Sequence, residues 1–164
     1  MIKIKLERGA TVPEYATLGS AAVDLVAMND APISIHPGAD PVAIPTGISL
    51  DMTSAENVCA LILPRSGLGV KGLVLGNTVG LIDNDYQGEI KVMAWNRNSA
   101  VKPMHMGTSV NMTPIVIEPG MRLAQLMFMT FAPVEFDVVD NFDQETDRGD
   151  GAFGSTGVIK KRKA

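Results

Sequence analysis

Asp83 and Asp85 stand with only Asn84 between them in the stretch GLIDNDYQGEI, and Tyr86 follows directly. A carboxylate can take a proton from water, so this stretch holds a candidate general base with a second carboxylate as helper. The same spacing suits a tight turn in which Asp and Asn side chains bond their own backbone, the more frequent use of such residues. Paired carboxylates also serve divalent cations. No histidine or further acidic cluster surrounds these two, which argues against an ion caged wholly by protein.

Four other segments depart from plain strand pattern. Asp24 lies inside the apolar run SAAVDLVA, where an ionised carboxylate is costly unless paired; a structural ion pair is the plainer reading. LPRSGLGVKG, residues 63–72, closes an apolar run with Pro64 and then presents Arg65, Ser66 and Gly67 at the start of a turn. A guanidinium, a hydroxyl and unpaired backbone amides there make a phosphate cradle, against the alternative of a glycine turn with an exposed arginine. In PGMRLAQLMF, Arg122 and Gln125 are the long polar side chains, and Gln125 is either partnered inside or an edge-strand amide facing water. DRGDGAFGSTG, residues 147–157, sets Arg148, Phe153, Ser155 and Thr156 among glycines 149, 151, 154 and 157. Such a segment can wrap a ligand, with donors for phosphate and a ring for a base; the alternative is a polar, disordered end.

These residues need a scaffold, and the pattern around them is that of short strands. IKIKL alternates, placing Ile2, Ile4 and Leu6 inward, and apolar runs cut by Pro, Gly, Asn and Asp continue through RLAQLMFMTFAPVEFDVV, residues 122–139. No long window shows a helical apolar stripe, so the spacing predicts a sandwich, barrel or jelly roll with at most a helical turn near RSGLGVKG. With 164 residues, 46% hydrophobic and 20% charged, the chain is one ordinary domain; 5% aromatic means a core of Val, Ile, Leu and Met. Residues 98–113 lack a period and are expected to form a loop or hairpin insertion in a domain spanning 1–140. Residues 141–164 turn acidic and then glycine-rich, which predicts a mobile C-terminal arm.

A net charge of −4 supplies no general attraction to nucleic acid, and the isolated arginines favour a small anion over a polymer. Cys59 is the one cysteine and has no internal partner, and MIKIKLERGA lacks the apolar run of a signal peptide or membrane span. A cytoplasmic protein without a membrane partner is the simplest expectation.

Taken in order, AAVDLVA, PRSGLGVKG, GLIDNDYQGEI, GMRLAQLMF and RGDGAFGSTG closely resemble the five motifs of the trimeric dUTPases. The resemblance implies an all-β jelly roll assembled as a homotrimer whose active sites combine motifs from different subunits. It implies an Mg²⁺-dependent hydrolysis of dUTP to dUMP and pyrophosphate, limiting uracil in DNA and supplying dUMP for dTMP synthesis. By that resemblance Asp83 is the base that activates the attacking water, and Asp85 shapes the turn. Tyr86 packs beneath the deoxyribose, while Asn77 and nearby backbone read uracil. Arg65, Ser66, Gly67 and Gln125 contact phosphates, and Arg148, Ser155 and Thr156 take the terminal phosphates. Phe153, beside Gly154, lies over the base. Mg²⁺ is held mainly by substrate phosphates and water, with Asp24 acting through its outer shell or by orienting neighbours.

Three positions depart from the motifs: Ala22 and Ala152 replace glycines, and GLGVKGLVLGN is one residue short. The 98–113 stretch lengthens a connection by about a dozen residues, which surface loops tolerate, and is a place for a regulatory protein partner. A dCTP deaminase on the same scaffold is the nearest rival; Asp83 and RSG, in place of a glutamate base and Arg-Ser-Ser, argue against it. A binding protein built on the same fold is the other.

Overall fold

The computed structural model describes residues 1–7, 9–98 and 113–152. Among them the chain forms β1 (Lys3–Leu6), β2 (Val23–Val26), β3 (Ile33–Ile35), β4 (Val42–Asp51), β5 (Val58–Pro64), α1 (Ser66–Val70), β6 (Leu73–Leu75), β7 (Gly80–Ile82), β8 (Glu89–Asn96), β9 (Ile115–Ile117) and β10 (Arg122–Thr130). The strands form two four-stranded sheets, β1-β4-β8-β6 and β2-β10-β5-β7, and a two-stranded sheet, β3-β9, with every pairing antiparallel. Each strand lies in a different sheet from the strand before it. This crossing back and forth is the wiring of the expected jelly roll, and the single short helix falls where RSGLGVKG predicts a turn.

Alternation sets the inner face. Along β8, Ile90, Val92, Ala94 and Asn96 are buried, whereas Lys91 and Trp95 are exposed, as a period of two requires. Leu25, Ile62 and Leu126 from one sheet, Ile44, Ile90 and Val92 from the other, and Ile35 and Ile117 from the third join one cluster. Each such side chain removed from water stabilises the fold by about 1.5–3 kcal/mol. Among the described residues no aromatic ring is fully buried, so the core is aliphatic, as the composition implies. Two buried polar side chains bond across the core: Thr46 Oγ1 donates to the Ile90 carbonyl at 2.6 Å, and Asn96 Nδ2 to the Ile35 carbonyl at 2.9 Å. Gly47, at φ +67, sits where the β4–β8 register shifts between Pro45 and Ser49; a Cβ there would lie 2.8 Å from that of Ala10.

Two details differ from the alternation read along the chain. Leu6 is 39% exposed, while Ile2 and Ile4 pack on the core, because β1 is an edge strand covered on one side only by β4. β10 stops at Thr130, although apolar residues continue to Val139. Beyond it the chain divides: Met1–Pro133 is one compact unit and Val134–Ala164 a second. In the second unit, Gly149 N donates to the Thr146 carbonyl and Gly151 N to the Arg148 carbonyl, each at 3.0 Å. The insertion expected at 98–113 lies, apart from its two end residues, outside the described residues.

Candidate functional site

β2, β10 and β5 are neighbours, and their register gathers residues far apart in sequence. Asp24 is the cross-strand partner of Gln125, and Gln125 also pairs with Leu63, two residues before Arg65. Asp24 then holds two arginines. Arg65 Nε lies 3.1 Å from Asp24 Oδ1, and Arg122 Nη1 lies 3.2 Å from Asp24 Oδ2. Arg65 Nη1 also donates to the Arg122 carbonyl at 3.2 Å. The structural ion pair read for Asp24 is present, and its effect is orientation: one carboxylate fixes the direction of two guanidiniums that remain partly open to solvent.

An open cavity of about 700 Å³ lies against this cluster, lined by Asp24, Arg65, Ser66, Gly67, Lys71, Arg122 and Gln125, among others. Three cationic side chains against one carboxylate leave its wall positive, so the cavity favours an anion. Gln125 Nε2 donates to the Pro64 carbonyl at 3.0 Å, and β10 is an inner strand, which rules out the edge-strand alternative. Lys71 and Arg122 are the residues that the motif reading left without a role here.

Asp83 and Tyr86 belong to another surface. The link between β7 and β8 turns over Asp83–Tyr86, with the Tyr86 amide donating to the Asp83 carbonyl at 3.2 Å. Tyr86 Oη donates to the Glu89 carbonyl at 3.2 Å, which brings the ring back over Gly88. A Cβ at Gly88 would lie 2.5 Å from Tyr86 Oη, so the bare backbone sets the ring's place. Leu81, Ile82, Asp83, Tyr86, Glu89 and Lys91 line a cavity of about 270 Å³. It shares no lining residue with the larger one.

The ladder explains the separation. Ile82 pairs with Ala60 near the start of β5, whereas Arg65 follows the end of that strand. Five residues of strand put about 17 Å between those ends. Asn77 is exposed in the turn between β6 and β7, where Thr78 takes φ +62. Arg148 is exposed, and its Nε donates to the Gly151 carbonyl at 3.0 Å. Phe153, Gly154, Ser155 and Thr156 lie outside the described residues.

Among the described residues, no group of three or more His, Cys, Asp or Glu converges as a metal site. Both oxygens of Asp24 already accept from arginines, so a cation there fits the outer shell, through water, better than direct coordination. Among the same residues, no helix is long and apolar enough to cross a membrane.

Comparison with known proteins gives one consistent result. The family model described as dUTPase matches residues 8–157. A deoxyuridine 5'-triphosphate nucleotidohydrolase of Shewanella piezotolerans is 50% identical over 148 residues, covering 90% of this chain and 87% of that protein. The enzyme of the same name from Tolumonas auensis is 48% identical over 147 residues, with 89% and 87% covered. Among solved structures, the dUTPase of Staphylococcus bacteriophage 80alpha with dUPNHPP superposes with a TM-score of 0.80 at 24% identity, covering 96% of this chain and 99% of that one. A mutant dUTPase of phage phi11 of S. aureus, described as revealing the coordination of a structural Mg(II) ion, gives 0.71 at 21% identity, with 88% and 99% covered.

Proposed function

Since this chain belongs to the dUTPase family, we propose that it hydrolyses dUTP to dUMP and pyrophosphate, keeping uracil out of DNA and supplying dUMP for dTMP synthesis. The observation that carries the reading is the positive cavity in which Asp24 aims Arg65 and Arg122 beside Ser66, Gly67 and Gln125. It suits a triphosphate, whose charge is met by planar donors and by the short helix that opens at Ser66.

Asp83 accepts a proton from water, and the water oxygen forms a bond to the α-phosphorus. The bond from that phosphorus to the bridging oxygen breaks, and pyrophosphate leaves with the electron pair. Arg65, Ser66, Gly67 and Gln125 hold the phosphates, with Arg148, Ser155 and Thr156 on the terminal ones. Tyr86 closes off the space beneath the sugar, so a 2'-hydroxyl is rejected by steric exclusion. Asn77 reads the uracil edge, and Phe153, next to Gly154, covers the ring. Mg²⁺, held by substrate phosphates and water near Asp24, would supply charge neutralisation at the phosphoryl oxygens.

A base and a phosphate cavity on separate surfaces of one chain argue for sites completed between copies, in a homotrimer. The test is pyrophosphate release from dUTP, UTP, dCTP and dTTP with and without Mg²⁺. dUTP is expected to be the substrate, turned over more slowly without the ion, and UTP to be slower by at least about a hundredfold. Equal turnover of UTP would remove the role assigned to Tyr86. Deleting residues 147–164 is expected to lower turnover by about a hundredfold or more, since Arg148 and the Ser-Thr donors go with them. Light scattering should still report a trimer, and a fully active truncation would refute the arm's part in the site.

A further inference from the structure

One side chain ties the Asp83 turn to the body of the protein. Asn84 Nδ2 lies within bonding distance of three backbone carbonyl oxygens: Met52 at 2.8 Å, Ala55 at 3.0 Å and Val58 at 2.8 Å. An amide nitrogen carries two hydrogens, so three acceptors share them and the group is saturated. The Met52 and Ala55 carbonyls lie in the connection between β4 and β5, itself a fixed turn, and Val58 is the first residue of β5. In that turn Ala55 N donates to the Met52 carbonyl at 2.9 Å, Thr53 N and Oγ1 donate to Asp51 Oδ1, and Asn57 takes φ +52.

Regular pairing stops short of Asp83 on both sides. The β5–β7 ladder ends at the Ala60–Ile82 pair, and β8 starts again only at Glu89. Residues 83 and 85–88 are exposed, whereas Asn84 is half-buried. The position of the turn therefore depends on the Asn84 amide, whose Cα is about 3.8 Å from that of Asp83.

We propose that Asn84 is a positioning residue for the hydrolysis: by gripping the β4–β5 turn it holds the Asp83 carboxylate where it can reach the attacking water. This rests on the role of Asp83 as base. The grip needs a donor, because all three partners are acceptors. Asp at this position would set a carboxylate against three carbonyl oxygens, and Ala would leave them without the amide. A misplacement of about 1 Å at a reacting group costs up to about a hundredfold in rate.

The experiment is a double-mutant cycle read by kcat and KM for dUTP, using Asn84→Ala, Asp83→Asn and the pair. Asn84→Ala is expected to lower kcat by about 10- to 100-fold, by more than it raises KM. In the Asp83→Asn background the same change should cost less than about twofold, because the residue it positions is already disabled. A purely structural role would lower activity by the same factor in both backgrounds, and losses that multiply would overturn the proposal. Asn84→Ser, which keeps one donor, replaces the alanine variant in the cycle if that variant does not fold, and is judged by the same comparison. Ser54→Ala, which removes only the bond from Ser54 Oγ to the Met1 carbonyl in the same turn, should leave kcat unchanged. If Asp83→Asn alone retains turnover, the base assignment fails. If Asp83→Asn loses turnover but Asn84→Ala keeps the unmodified kcat, only the positioning role fails.

Discussion

Asp83→Asn is expected to lower kcat for dUTP by about 10³-fold while the protein still folds, assembles and binds the nucleotide. General-base catalysis contributes about 10²–10⁴-fold, and the amide keeps the shape of the carboxylate but cannot take the proton from water. The loss corresponds to about 4 kcal/mol of transition-state stabilisation. Folding should be unaffected for a structural reason. Asp83 is exposed beyond the end of β7, and the bond that closes the turn, from the Tyr86 amide, uses its main-chain carbonyl. Surface changes away from the core usually stay within about 0.5 kcal/mol. Asp85→Asn is the comparison: it removes a carboxylate two residues away and should keep most of the turnover, since Asp85 is assigned to the turn. Single-turnover kinetics with dUTP separates binding from chemistry. Undiminished turnover by Asp83→Asn would refute the base assignment, and equal losses in both variants would mean that the two carboxylates act as a pair.

How much of this was legible in the sequence depends on where each interaction is encoded. β8 could be read directly, because one buried face imposes a period of two on EIKVMAWN, and no other element shares those positions. The end of β10 could not: apolar residues continue past Thr130, and the alternation does not mark where pairing with β5 stops at Val58. Asp24, Arg65, Arg122 and Gln125 meet only through the registers of β2, β5 and β10, so spacing along the chain gave no sign that they touch. The motif resemblance named three of them for function. It left out Arg122, whose link to Asp24 depends on the irregular register between Arg122 and Ala124. Asn84 was passed over for a different reason. Its partners are main-chain carbonyls, and every residue has one, so the grip on the β4–β5 turn leaves no trace in the identities of Met52, Ala55 or Val58.

Mixing two inactive proteins is expected to restore activity. Arg65→Ala should be slower by about 10²–10³-fold, because the guanidinium held by Asp24 and the Arg122 carbonyl leaves the anion cavity. Asp83→Asn is inactive for lack of the base. The strand register separates the two residues along β5 by about 17 Å of strand, and they line cavities with no wall in common. A base works only within about 3 Å of its proton, so Asp83 of one copy serves the cavity of another in the proposed trimer. When the two variants are dissociated together and reassembled at equal amounts, a site works if its cavity comes from an Asp83→Asn chain and its base from an Arg65→Ala chain. Random assembly makes about a quarter of sites competent, so activity should rise from near zero to about a quarter of the unmodified protein's. If each chain used its own Asp83 with its own Arg65, every site in every mixed assembly would carry one defect. Reassembly would then give no more than the two residual activities together. That outcome would sink the shared site while leaving the dUTPase reading intact, because the unmixed protein would still hydrolyse dUTP.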